Sequence, residues 1–221
     1  MPAGLAMACE PDRDCAICPR LADFRTRQRL AEPQWHNAPV ASFSPEPDSD
    51  VRLLIVGLAP GLRGANRTGR PFTGDFAGDL LYRTLGNYGF SSGIYRADPN
   101  DGLALRECAI TNAVRCVPPQ NKPLPAEIAN CRAFLSATLQ RFRHLRAIVT
   151  LGRIAHESTL RALGARPAAA PFSHGGQHEI ADKRIFASYH CSRYNTNTGR
   201  LTAAMFERIF ADVREYLGDR H

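Results

Sequence analysis

Four short, continuously apolar runs punctuate the chain: Val51–Val56 (VRLLIV), 107–114 (ECAITNAV), 146–152 (RAIVTLG) and 184–190 (RIFASYH). Around and between them the apolar positions recur at helical spacing. Residues 19–32 (PRLADFRTRQRLAE) read as an amphipathic helix, and 74–90 place Leu80, Leu81 and Leu85 on one face. A third helix is expected over 126–143, with Pro125 near its first turn. A fourth covers 153–164 and closes at Gly164, and a fifth covers 201–217. Runs without polar alternation predict strands buried on both faces, as in a parallel sheet. Right-handed crossovers then set helices on both sides. The fold class is α/β, and no internal repeat or low-complexity tract interrupts it.

In such sheets ligands bind outside the carboxyl ends of the strands. The first run ends in a glycine-rich loop, the second at Asn112 and the fourth at His190. These distant stretches are therefore expected on one rim.

Composition narrows the picture modestly. At 221 residues and 44% apolar the chain suits one domain with a substantial core. Residues 1–14 are expected to be poorly ordered and 15–221 to form a single domain. No apolar run reaches bilayer length, and the N-terminus lacks the basic and apolar regions of a signal peptide. The expected setting is the cytoplasm, with no membrane partner. A net charge of +7 suits a polyanion such as nucleic acid.

The first rim stretch is GLAPGLRGANRTGRPFTGD, Gly57 to Asp75. It is neither a Walker loop nor a G-x-G-x-x-G fingerprint. Its glycines, Gly57 and Gly61 among them, allow backbone amides close to an oxygen-rich ligand. Arg63, Arg67 and Arg70 are candidates to neutralise phosphates. Phe72 is a candidate to stack on a base, and Asp75 to act as a base or to stabilise a cation. The second stretch is SYHCSRYNTNTGRLT, Ser188 to Thr202, with His190 at a strand end and a polar, basic loop behind it.

Seven cysteines are present. Cys15 and Cys18 form C-x-x-C, while Cys116 and Cys131 bracket VPPQNKPLPAEIAN. Four thiolates suit either zinc or an iron–sulfur cluster. The lopsided second pair favours a cluster; the plainer alternative is that Cys116 and Cys131 are small buried apolar residues. Cys108 reads as core and Cys9 as a less favoured ligand.

These stretches, together with TNAVRCVPPQNKPLP and the CAIC knuckle, closely resemble the type-5 uracil-DNA glycosylases, over nearly the whole chain from Cys15 onward. The resemblance implies a three-layer α/β/α sandwich around a four-stranded parallel sheet. It implies a [4Fe–4S] cluster on Cys15, Cys18, Cys116 and Cys131, and monofunctional excision of uracil and other deaminated bases from DNA in base excision repair. By position, Asp75 is then the acid near the sugar, Phe72 the stacking ring, His190 the donor to the base O2, and Asn121 a polar site residue. Asn112 sits where related enzymes read the base. Arg67, Arg193 and Arg200 are expected along the DNA, and the enzyme is expected to be a monomer associated with the nucleoid. Leu58 stands where sister families carry a polar catalytic group, as type 5 allows, and Cys191 departs from the usual pattern after the histidine. The rival readings are a non-catalytic zinc DNA-binding module, a type-4 uracil-DNA glycosylase lacking its acid at position 58, and a nucleotide phosphohydrolase lacking an acidic metal cluster.

Overall fold

The computed structural model describes residues 8–218. A central sheet is built from β1 (Leu53–Gly57), β4 (Cys108–Asn112), β5 (Ala147–Leu151), β6 (Gln177–Ile180) and β7 (Lys183–Ser188) in the order β4-β1-β5-β7-β6. The four strands expected from the apolar runs are mutually parallel. A fifth, β6, adds antiparallel to β7 at the edge. A two-residue hairpin, β2 (Ser91–Ser92) with β3 (Ala104–Leu105), stands apart.

Helices α1 (Pro19–Ala31), α3 (Phe76–Asn87), α4 (Pro125–Arg141), α5 (Arg153–Ala162) and α7 (Ala203–Leu217) match the expected segments. Two single-turn helices, α2 (Ala65–Thr68) and α6 (Arg193–Asn197), lie inside stretches read from sequence as loops.

Strand pleating explains the three layers. Successive side chains of β1 point to opposite faces. Leu53 and Ile55 join Leu81, Phe206 and Phe210 from α3 and α7, while Leu54 and Val56 join Leu135 and Leu160 from α4 and α5. Each such side chain is fully buried, contributing about 1.5–3 kcal/mol. Helix α1 turns one face inward as expected, but that face buries Leu21 together with the polar Arg25.

Of the N-terminal segment, residues 1–7 lie outside the described residues. Within 8–14, Cys9 Sγ donates to Ala137 O at 3.6 Å, and Glu10 pairs at 3.0 Å with the fully buried Arg115. The first anchoring contacts thus come before Cys15.

Candidate active site

The strand ends place three distant segments side by side. Gly57 and Asn112 are register partners at the carboxyl ends of β1 and β4. Ser188 ends β7 beside Leu151, and His190 follows two residues later. Together with the glycine loop they enclose a cavity of about 670 Å³, lined by Leu58, Asp75, Asn112, Asn121, His190 and Arg193 among others.

Phe72 forms one wall. Its ring lies 5.9 Å from that of His190, with 26° between the planes. Its backbone is left-handed, at φ 53°, a conformation that a bulky residue keeps only when its surroundings enforce it. Three contacts do so. Tyr95 Oη donates to Phe72 O at 3.2 Å and accepts from Gly74 N at 3.3 Å, while Tyr82 Oη donates to Pro71 O at 2.6 Å. A Cβ on Gly57 would meet the Phe72 ring at 2.6 Å and collide with Asn112 Oδ1, so only glycine lets the ring and the amide share this floor.

Asp75 caps α3. Its Oδ1 accepts from Ala77 N at 3.2 Å. Its Oδ2 lies over the glycine loop: a Cβ on Gly61 would sit 3.0 Å away, and one on Gly64 would collide with it. Burial raises the Asp75 pKa, opposed by the Gly78 and Ala77 amides. The acid is therefore less readily ionised than a surface aspartate, yet held at a helix N-terminus that favours its charge.

His190 is half-buried, and burial pushes its pKa down to about 4. At neutral pH it is an uncharged imidazole, able to donate one hydrogen bond. Asn195 Nδ2 holds its carbonyl at 2.8 Å. The preceding residue is fixed too, because Tyr189 N donates to His174 Nδ1 at 3.2 Å. Cys191, unexplained from sequence, is fully buried behind the site and its Sγ donates to Ala77 O at 3.5 Å. It links the histidine loop to α3.

On the flank of the cavity, Cys15, Cys18, Cys116 and Cys131 border one small apolar space, along with Leu21, Val114 and Phe134. None of the four is joined in a disulfide. Three receive N–H donors: Arg25 Nη1 to Cys116 at 3.6 Å, Arg115 N to Cys131 at 3.3 Å and Asn130 Nδ2 to Cys18 at 3.6 Å. Burial raises the thiols of Cys116 and Cys131, to about 12 and about 11. Among the described residues no three His, Cys, Asp or Glu side chains are set to hold a single metal ion. Cys9 is not part of this group, and Cys108 is core in β4, as expected.

Comparison with known proteins decides the family. The model of the uracil DNA glycosylase superfamily matches residues 44–214. The chain is 43% identical over 211 residues to the type-5 uracil-DNA glycosylase of Thermus thermophilus, covering 92% of this chain and 94% of the relative. It is 41% identical over 208 residues to that of Pyrobaculum aerophilum, covering 90% and 89%. This chain belongs to the type-5 uracil-DNA glycosylases. A type-4 enzyme of Archaeoglobus fulgidus aligns at 36% identity over 106 residues, or 48% of this chain and 45% of the relative. The type-4 reading, weighed on position 58, gives way to the longer match.

In this type-5 family member the arginines divide sharply. Arg63 and Arg193 line the cavity, the latter with its guanidinium 5.3 Å from the Phe76 ring centroid. Arg67 is exposed on α2 outside the lining, its Nε donating to Arg63 O at 2.9 Å. Arg200 is also outside the lining, over the Tyr189 ring at 4.6 Å. Arg70 is a correction: it is buried, bonded through both terminal nitrogens to Asp101 at 2.8 Å and surrounded by the rings of Phe43, Tyr82 and Tyr95. It holds the glycine loop against residues 96–101 and has no free face for a phosphate. Sequence reasoning did not single out Tyr95, which has no motif, or Tyr194, which follows Arg193 and is 72% exposed.

Proposed function

We propose that this cavity receives a uracil flipped out of DNA and hydrolyses its N-glycosidic bond. The observation that carries the reading is the convergence of Phe72, Asp75 and His190 on one cavity at the sheet's carboxyl edge, in a chain of the type-5 family. Phe72 offers a rigid face to the base. As the C1′–N1 bond breaks, its electron pair leaves with the base and positive charge grows on the sugar. Neutral His190 donates to the uracil O2 as negative charge gathers there, a contribution of about 2.7–4 kcal/mol for donors of this kind. Asp75, ionised, stabilises the sugar cation or orients the water whose oxygen joins C1′ and whose proton is released.

Asn121 and Asn112 are assigned to the base and its water, and Gly57 and Gly61 to close backbone approach. Arg193 and Arg63 hold phosphates at the mouth, with Arg67 and Arg200 further out. Tyr194 presents a ring on which a neighbouring base can stack. The chain has two lysines, Lys122 and Lys183, and neither lines the cavity, so among the described residues no side-chain amine is placed to attack C1′. The product is an intact abasic site.

Apolar Leu58, Ala59 and Leu62 form much of the wall, and the space is wide for a pyrimidine. This supports excision of hypoxanthine or xanthine as well. The four thiols bordering one space, with N–H donors on three of them, fit a [4Fe–4S] cluster better than a single zinc. Held by Cys15, Cys18, Cys116 and Cys131, the group supplies a cross-link, since glycosidic hydrolysis moves no electrons between substrate and protein. The enzyme acts as a monomer of one domain on nucleoid DNA in the cytoplasm.

The decisive experiment incubates the purified protein with duplex DNA containing one uracil and scores abasic sites by alkaline cleavage. Strand breaks after alkali, and none before it, are expected. Tight binding without abasic sites would instead favour the non-catalytic module. A preparation holding one zinc and no iron would overturn the cluster.

A further inference from the structure

The segment between Cys116 and Cys131 carries Asn121 in the middle, and its geometry is unusual. Gln120 and Asn121 are both left-handed, at φ 56° and 57°. Asparagine tolerates this, but two successive non-glycine residues in that region need an external hold. Asn121 is itself exposed, and its short-range bonds are backbone bonds of a single 3-10 turn, with Asn121 N donating to Pro118 O at 3.1 Å and Lys122 N to Pro119 O at 3.1 Å.

The hold comes from more than 100 residues away in sequence. Arg20 lies two residues after Cys18, in the first turn of α1. Its Nε and Nη2 donate to Glu127 Oε1 and Oε2, each at 2.8 Å, and Nη2 also donates to Lys122 O at 3.0 Å. Glu127 Oε2 in turn accepts from Leu124 N at 2.7 Å. The Glu127 side chain is only 6% exposed, so this fork is shielded from solvent on the acid's side. One guanidinium thus fastens both the carbonyl following Asn121 and the helix that carries Cys131. Neither Arg20 nor Glu127 lines the cavity.

We infer that Arg20 and Glu127 are positioning residues for the glycosylase reaction: they transmit the placement of the cysteine knuckle to Asn121 across the mouth of the cavity. The inference rests on the reading of Asn121 as part of the catalytic cavity. A planar fork is required, because a single ammonium cannot bond both carboxylate oxygens and the Lys122 carbonyl in one plane.

The test compares wild type, Arg20→Gln, Asn121→Ala and the double variant, measuring kcat and KM on uracil-containing duplex, iron per chain and melting temperature. Arg20→Gln is expected to lower kcat about 10- to 100-fold. KM and iron content should stay close to wild type, while Tm falls by several degrees because the buried Glu127 carboxylate loses its partner, so rates are compared well below the melt. In the Asn121→Ala background the same change should cost less than about twofold, since contacts acting as a unit are not additive. Arg20→Lys keeps the charge and loses the fork, so it should lower kcat much as Arg20→Gln does while melting nearer to wild type, and it serves if Arg20→Gln melts early. An unchanged kcat in Arg20→Gln, a fully additive loss in the double variant, or iron loss in proportion to activity would each overturn the inference. Should Asn121→Ala be as fast as wild type, the assignment of Asn121 falls first and the coupling falls with it. A slow Asn121→Ala beside a normal Arg20→Gln sinks the coupling alone.

Discussion

Two loops meet at the cavity, and they are held in different ways. The glycine loop, 57–75, is fixed from within and beneath. Its glycines admit Asp75, Asn112 and Phe72 at distances no Cβ would permit, and Tyr82, Tyr95 and the Arg70–Asp101 pair grip Arg70 to Gly74. The segment 116–131 is fixed from outside: its two ends are cysteines facing a second pair, and its middle hangs on Arg20. The first loop derives its shape from the sheet and α3, so damage to it should leave the cysteine knuckle in place. The second borrows its shape from the N-terminal knuckle, so damage there should spread.

The contrast can be broken at several points. Cys116→Ser should have the largest effect, lowering Tm by about 10 °C or more, at roughly 2–4 °C per kcal/mol for a chain of this size. Iron analysis and a thermal melt check it; a variant that melts normally without iron would show that 116–131 does not depend on the group. Arg70→Ala should cost about 3–5 kcal/mol of stability, because it strands the buried Asp101 carboxylate. Its DNA affinity at fixed folded concentration should be unchanged, and loss of affinity in a normally folded variant would return Arg70 to the phosphate-binding surface.

His190→Ala should leave the melt nearly intact and slow uracil release by about 10²–10³-fold, measured in single turnover. The loss should be larger for poorer leaving groups. Equal losses on every base would move His190 from leaving-group stabilisation to binding. Asp75→Asn should slow every base while preserving DNA binding.

Asp75 also sets a pH signature. Burial raises its folded pKa above the ordinary 3.8, so the carboxylate proposed to act in catalysis is lost earlier as pH falls. Single-turnover rates should therefore drop with acidification above pH 3.8, and this limb should vanish in Asp75→Asn. His190 contributes a separate effect on stability. Its folded pKa, about 4, is below the unfolded 6.5, so the unfolded chain takes up the proton first. Stability should fall as pH drops from 6.5 towards 4, by about 3 kcal/mol at most, and His190→Gln should flatten that slope in denaturant titrations.

The smallest effects belong to the outer arginines. Arg67→Ala and Arg200→Ala should each reduce the salt dependence of binding by about one unit of slope, without changing the preference for uracil. A changed base preference in either would place it inside the recognition site.

Much of this was legible in the sequence because it depends on local pattern. The parallel strands are apolar without interruption, and the strand ends dictate which stretches share a rim. What escaped the pattern was half-buried or distant. Strand β6 (QHEI) alternates exposed and half-buried positions at a sheet edge, so it lacks the apolar run of its neighbours. The one-turn helices α2 and α6 are too short for any period. Arg70 looked like its exposed neighbours because nothing local announces Asp101 or the three rings around it. Arg20 and Glu127 stand 107 positions apart, and only the fold brings them together.

The grip of Tyr95 on Phe72 bears on the timing of catalysis. In its proposed role, a residue already held in a costly backbone conformation has no backbone rearrangement left to make when a base arrives. The ordering entropy of the stacking face is settled at folding rather than at each encounter. This wall of the cavity is thus a standing template rather than a closing jaw. Under the proposed function, the slow event that precedes chemistry is then expected in the DNA, as the extrusion of one nucleotide from its stack.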